Sequence, residues 1–253
     1  MKKVHILNGD FLNCQLKDTV EAERVVMREC LIDGNIQGET LVTFYANRAA
    51  FTSQYEGCTV AGYYKYAAPE INKINTLAPE SEVYCWFEDD LFCQANLWFV
   101  LNLLFKNGHH SHIYLVRPNK VNRYNFNKMT DDELNIAFES KQLLLSSQLT
   151  LLAELWPLYQ QNNVNDMFVI AKKLRLALPF LLPAIAAHEC RAPDENGLGY
   201  PQRQLLAIMQ ELDTTEFGPV FQCFSEREGI YSFGDLQVKQ MFEQLKQKLA
   251  GDL

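Results

Sequence analysis

The run Val83-Tyr84-Cys85-Trp86-Phe87-Glu88-Asp89-Asp90-Leu91-Phe92-Cys93-Gln94 places an apolar strand, an acidic turn and the start of an apolar helix in direct succession. Val83–Phe87 is made of residues that favour or tolerate a pleated, buried strand. From Leu91 to Phe105 the pattern is helical and nearly all apolar, which predicts a helix buried on most sides. Asn107-Gly108 then stops it, as glycine does after a last helical turn. A continuous apolar strand running into a buried helix is the unit of a parallel sheet covered on both faces.

The segments on either side repeat this unit. Downstream, Ile113–Val116 is a short strand closed by Arg117-Pro118. Upstream, Val4–Leu7 is an apolar run ending in Asn8-Gly9-Asp10, a turn. Phe11, Leu12 and Leu16 then suit a short helix. Arg24–Met27 reads as another strand and meets Arg28-Glu29 directly. Residues 39–55 have near-helical spacing of Leu41, Phe44, Tyr45, Ala49 and Phe51. Residues 60–76 read as a further helix, with Pro69 marking a break or a start. The expectation for residues 1–120 is therefore an α/β domain with a mostly parallel, Rossmann-like open sheet of about four strands.

After Asn119 the character becomes helical. Thr130 with Glu133 three residues on is a capping-box signal. Helices are expected near 131–146, 147–161, 164–175 and 178–190, a helical middle region over 121–193. The turn-rich segment 193–201 (PDENGLGYP) reads as a linker. Beyond it, 194–253 reads as a small module of three helices: Pro201–Leu212, Glu216–Arg227, and one capped by Asp235 that runs to the end.

Hydrophobic residues make up 48% and charged residues 21%, which excludes a disordered chain. The net charge of -8 is uneven: -3 over 1–120, zero over 121–193 and -5 over 194–253. The last three helices have lengths that suit a helix-turn-helix, but their acidity disfavours nucleic acid. The seven cysteines are odd in number and include no CxxC pair, so they read as buried free thiols of a reducing compartment. The N-terminal apolar stretch is too short for a leader, and no later stretch approaches the ~20 residues that span a bilayer. A cytoplasmic protein without a membrane partner is expected.

Ligands of open parallel sheets bind outside the carboxyl ends of the strands. Three expected strand ends are polar: Asn8, Gly9 and Asp10; Arg28 and Glu29; Glu88, Asp89 and Asp90, with Gln94 a helical turn further on. Asp10, Glu88 and Asp90 are the candidate catalytic residues, and also the candidate ligands of a divalent cation such as magnesium. Asn8, Gly9, Arg28, Glu29 and Gln94 are the candidate ligand-binding residues, with Arg28 suited to a phosphate or carboxylate. The same side chains also suit helix capping and structural ion pairing. Neither GxGxxG nor GxxxxGK[ST] nor GxSxG occurs. His109, His110 and His112 read as a solvated loop.

Asn8-Gly9-Asp10, then Arg28-Glu29 with Gly34, then Trp86-Phe87-Glu88-x-Asp90-Leu91-Phe92-x-Gln94 resemble a bacterial family known as domain of unknown function 1835. Asn196-Gly197-Leu198 with Arg203-Gln204, and later Gly234-Asp235, resemble the domain that commonly follows it. Asp89 stands where a histidine is expected in many relatives. The resemblance implies the two-part architecture and draws attention to Asn8, Asp10, Arg28, Glu29, Glu88, Asp90 and Gln94; it carries no activity. Two functions are left open. One is binding of a phosphorylated or nucleotide-like small molecule at the strand ends, with metal-assisted hydrolase or transferase chemistry. The other is a non-catalytic regulator or adaptor whose C-terminal helices contact a protein partner, with a DNA-binding regulator acting through the same helices as the less favoured variant.

Overall fold

The computed structural model describes residues 1–16 and 22–251, the last three by backbone alone. Four parallel strands, β1 (Lys3–Asn8), β2 (Glu23–Met27), β3 (Glu82–Trp86) and β4 (Ile113–Val116), and a short antiparallel β5 (Gln142–Leu143) form one sheet in the order β2-β1-β3-β4-β5. Ile6 of β1 stands opposite both Val25 of β2 and Cys85 of β3. The mostly parallel α/β reading of the N-terminal half holds. The strand order also shows what periodicity left open: β2 and β3 lie on opposite sides of β1, so the carboxyl ends of β1 and β3 flank a topological switch point.

Alternation along the strands sends side chains to two layers. Val4, Ile6, Val25, Met27, Val83, Cys85, Ile113 and Leu115 face one of them. Against it pack α2 (Leu41–Thr52), α3 (Val60–Tyr66), α4 (Ala68–Asn75) and α5 (Leu91–Lys106). Behind α5 lie α7 (Ser146–Gln160), α8 (Val164–Leu174) and α9 (Leu181–Glu189), in the same continuous core. The second face, with Leu7, Tyr84, Trp86 and Val116, is covered by α1 (Asp10–Gln15), α6 (Asp131–Glu139) and Phe126. Helix α5 is buried nearly all round because it has the sheet on one side and α7 and α9 on the other. Each of its fully buried large side chains, Trp98 and Leu104 among them, contributes about 1.5–3 kcal/mol.

The helices of 146–189 thus share the sheet's core. Helices α10 (Tyr200–Glu211), α11 (Phe217–Arg227) and α12 (Asp235–Gly251) build a cluster of their own around Leu205, Ile208, Phe224 and Phe242. Tyr231, between α11 and α12, is buried in the main core, and the Ile230 carbonyl accepts from the Leu91 N–H at 2.8 Å. The expected end of α12 at residue 253 lies outside the described residues.

Four local expectations need correction. The helix expected over 131–146 ends at Glu139, and Gln142–Leu143 instead pairs with β4, where backbone groups at the open edge of that strand gain partners. The helix expected over 60–76 divides at Ala67, because Pro69 lacks the N–H that would continue it. His109 is fully buried rather than solvated, with Nε2 3.1 Å from the Leu77 carbonyl. The thiols divide as well: all seven are free, Cys85 and Cys93 are buried, and Cys14, Cys58 and Cys190 are exposed. Thr130 and Glu133 do form the reciprocal capping box. Among the described residues, no helix is long and apolar enough to cross a membrane.

Candidate functional site

The polar strand ends do meet, but they sort into three groups of different character. The first is an open cleft of about 520 Å³ at the carboxyl ends of β1 and β2. Asn8, Gly9, Asp10, Arg28 and Glu29 line it on the strand side, and Tyr55, Tyr63, Tyr66 and Phe92 give it an aromatic wall. The chain leaves β1 through Gly9 at φ +98°, a conformation that glycine adopts at little cost. Asp10 therefore stands at the start of α1 facing Arg28. The Arg28 guanidinium grips Asp10 bidentately, Nε to Oδ2 and Nη2 to Oδ1, both at 2.7 Å. Its Nη1 donates to the Tyr66 carbonyl at 3.1 Å. The Arg28 contact holds the Asp10 carboxyl below the usual carboxylate range.

The second group is buried. Glu29 does not open to a ligand through its carboxylate; it forms an ion pair with Arg48 of α2, and both side chains are fully buried. Arg48 Nε donates to Glu29 Oε2 at 3.0 Å, and Tyr63 Oη donates to Glu29 Oε1 at 2.6 Å. The rest of the guanidinium donates to the carbonyls of Cys30, Asp33 and Asn35. This satisfied network ties the loop after β2 to α2. Gly34, in the same loop, has φ +75°, and a β-carbon there would lie 2.3 Å from the Phe51 ring. Among the expected binding residues Glu29 therefore has a structural partner.

The third group sits at the start of α5. Asp90 caps this helix, its Oδ1 accepting from the Cys93 N–H at 2.9 Å. The cap brings the side chain of Cys93 back over Asp90 and Glu88, since the third helical residue returns to the capping position. Cys93 Sγ donates to Glu88 Oε2 at 3.0 Å and accepts from Asn8 Nδ2 at 2.9 Å. Glu88 Oε1 accepts from the Phe126 N–H at 3.3 Å, and its carbonyl accepts from Gln94 Nε2 at 2.7 Å. Glu88, Asp90 and Cys93 each offer a ligand atom, all within 4.8 Å of one another. Burial pushes the Glu88 carboxyl up; burial and then the nearby Glu88 charge push Asp90 up further. Burial and the same two carboxylates raise the Cys93 thiol, so it stays protonated and serves as a donor.

The expected triad of Asp10, Glu88 and Asp90 is thus not the set that assembles. Asp10 is absent from the close group because Arg28 takes both its oxygens, and Cys93 stands in its place. Asp89 points elsewhere, into a bidentate pair with Arg117, whose guanidinium lies 4.1 Å from the Phe180 ring centroid. Asn8 joins the first and third groups, and Asn96 holds it there. Asn96 Nδ2 donates to Asn8 Oδ1 at 2.8 Å and to the Glu29 carbonyl at 2.7 Å, while its own Oδ1 accepts from the Leu31 N–H.

Sequence reasoning passed over Cys93, Asn96 and Arg48. Each had a signal: Cys93 is the third residue after a capping Asp90, Asn96 is one of three amides, with Gln94 and Asn102, in the otherwise apolar run from Leu91 to Phe105, and Arg48 is a lone cation among apolar helical positions. A buried polar side chain requires a partner, so each foretold a long-range contact without naming it. Comparison with protein-family models, with curated proteins and with solved structures returned no match.

Proposed function

We propose that this protein binds a phosphorylated or nucleotide-like small molecule in the cleft at the carboxyl ends of β1 and β2. The observation that carries the reading is the cleft itself: about 520 Å³, with an aromatic wall at Tyr63, Tyr66 and Phe92 and a polar end at Asn8 and Arg28. Its volume falls in the usual range for small-molecule sites, which combine an apolar lining with few polar groups. A planar ring suits the aromatic wall, and an anionic group suits Arg28, the cation of the expected site. In this reading Asn8 and Gly9 orient the ligand, and Asp10 is the internal counter-ion that an incoming anion displaces.

The reaction class that fits the neighbouring Glu88, Asp90 and Cys93 group is hydrolysis or group transfer. Burial raises both carboxyls above the ordinary carboxylate range, the direction that suits a proton-holding role. Asn8 links that group to the cleft. Kinship with the uncharacterised bacterial family is part of the same proposal, resting on the motif positions Asn8, Arg28, Glu88, Asp90 and Gln94.

The test is a thermal-shift panel of nucleotides and sugar phosphates on the full chain, repeated on Tyr66→Ala and Arg28→Gln. A ligand at ~100 times its Kd stabilises the folded state by about 2.7 kcal/mol. The expected result is a hit that both substitutions weaken. No shift across the panel, or a shift indifferent to both, overturns the proposal.

A further inference from the structure

The side chains at the start of α5 are arranged in a way that helix capping alone does not require. One oxygen of Asp90 caps the helix, while Oδ2 is buried with no hydrogen-bond partner. Gln94, itself fully buried, holds the Glu88 carbonyl with its Nε2, while its Oε1 is without a partner. Among the described residues, neither Glu88 nor Asp90 forms an ion pair with lysine, arginine or histidine. A buried carboxylate oxygen without a donor is costly, and Asp90 Oδ2 is one, beside a second carboxyl, Glu88, whose oxygens accept only from the Cys93 thiol and the Phe126 N–H.

We infer that Glu88, Asp90 and Cys93 form a binding site for a zinc-class divalent cation. The three ligand atoms already lie within 4.8 Å of one another, so modest side-chain movement brings them onto one ion. Asp90 and Cys93 sit at helical i, i+3 spacing, which puts both on one face. Glu88 approaches from the end of β3.

The donor set selects the metal. Magnesium and calcium take oxygen ligands; a thiolate beside two carboxylates suits zinc and metals of similar softness. The S–H···O contact from Cys93 to Glu88 marks where the ion enters. Binding breaks the S–H bond, forms a sulfur–metal bond and releases the proton to solvent, with no change of oxidation state. Asn8, donating to the same sulfur, is then an outer partner that orients the ligand, as metal sites commonly require. The site uses three protein ligands, one fewer than the four of a closed structural zinc site. The inference deepens the strand-end reading by naming its metal, but its test does not depend on any cleft ligand.

Chelator-treated full-length protein, with the exposed Cys14, Cys58 and Cys190 changed to serine, is titrated with cobalt(II) as a spectroscopic substitute for zinc. The expected result is one equivalent bound, with a near-ultraviolet thiolate-to-cobalt band that zinc abolishes. In the further variant Cys93→Ser the band is lost. In Asp90→Asn affinity falls roughly tenfold or more, with circular dichroism checking the fold of each. No thiolate band with folded parent protein, or a band that survives Cys93→Ser, overturns the site. Retained cobalt binding with no nucleotide shift removes the cleft proposal alone; a nucleotide shift without cobalt binding removes the metal site alone.

Discussion

Asn8, the last residue of β1, donates its Nδ2 hydrogen to the Sγ of Cys93 in the first turn of α5 at 2.9 Å. That single contact joins the cleft at the ends of β1 and β2 to the carboxyl–thiol group at the end of β3. Asn8 also accepts from Asn96, so it is held at both ends of its amide. Replacing Asn8 by alanine leaves the buried Cys93 sulfur and the Asn96 amide each short of a partner. The expected cost is about 1–3 kcal/mol, read as a drop in the urea midpoint at unchanged slope. An unchanged midpoint would show that water takes over both contacts and that Asn8 holds nothing in place.

Arg48 and Glu29 form a fully buried pair, and removing one partner strands the other charge. Arg48→Met is expected to destabilise the protein by about 3–5 kcal/mol. Adding Glu29→Gln to it should recover part of that loss, because the stranded charge is gone. Urea unfolding of the single and double variants decides the matter. A single variant within about 0.5 kcal/mol of the parent would mean that the pair does not carry the loop after β2.

Asp10 occupies Arg28, and its side chain is 58% exposed. Exposed pairs are worth about 0.2–1 kcal/mol, so Asp10→Asn removes the nearer of the two carboxylates paired with Arg28 at little cost, Glu70 staying at 4.0 Å. For a phosphate-bearing cleft ligand, affinity is expected to rise about two- to fivefold, since 1 kcal/mol is about a factor of five. Calorimetric titration measures it. A loss of affinity would instead place Asp10 among the groups that touch the ligand or its metal.

His5 is 2% exposed, and burial, then Arg24, then Lys3 lower its pKa to about 4. Its Nδ1 accepts from Trp86 Nε1 at 3.0 Å, which fixes the neutral ring with its hydrogen on Nε2. The unfolded chain takes up this proton near the ordinary histidine value of 6.5 and the folded protein only near 4. Stability contributed by neutral His5 is therefore full above pH 6.5, falls as pH drops towards 4, and is level below that. The loss over this window is expected to be on the order of 3 kcal/mol. Urea unfolding at stepped pH measures the slope, and His5→Gln, which keeps an acceptor for Trp86, should flatten it. Equal slopes in the two proteins would assign the pH dependence to other groups.

Period and turn chemistry are local, so they were legible residue by residue. The four parallel strands, the apolar helix after Asp90, the stop at Asn107-Gly108 and the cap at Thr130 all follow from neighbours a few positions apart. The polar strand ends were legible for the same reason, because a parallel sheet places its turns outside the carboxyl ends of its strands. Which of those ends act together was not.

That choice depends on strand order and on elements far away in the chain. Placing β1 between β2 and β3 gave Asp10 to Arg28 and left Glu88 to Asp90 and Cys93. Packing α2 against the sheet delivered Arg48 to Glu29 and turned a candidate ligand-binding carboxylate into a structural one. Local pattern determines which side chains are polar at a turn. Only tertiary packing determines the charge and hydrogen-bond partners each one meets, because burial and electrostatic pairing act through space rather than along the chain.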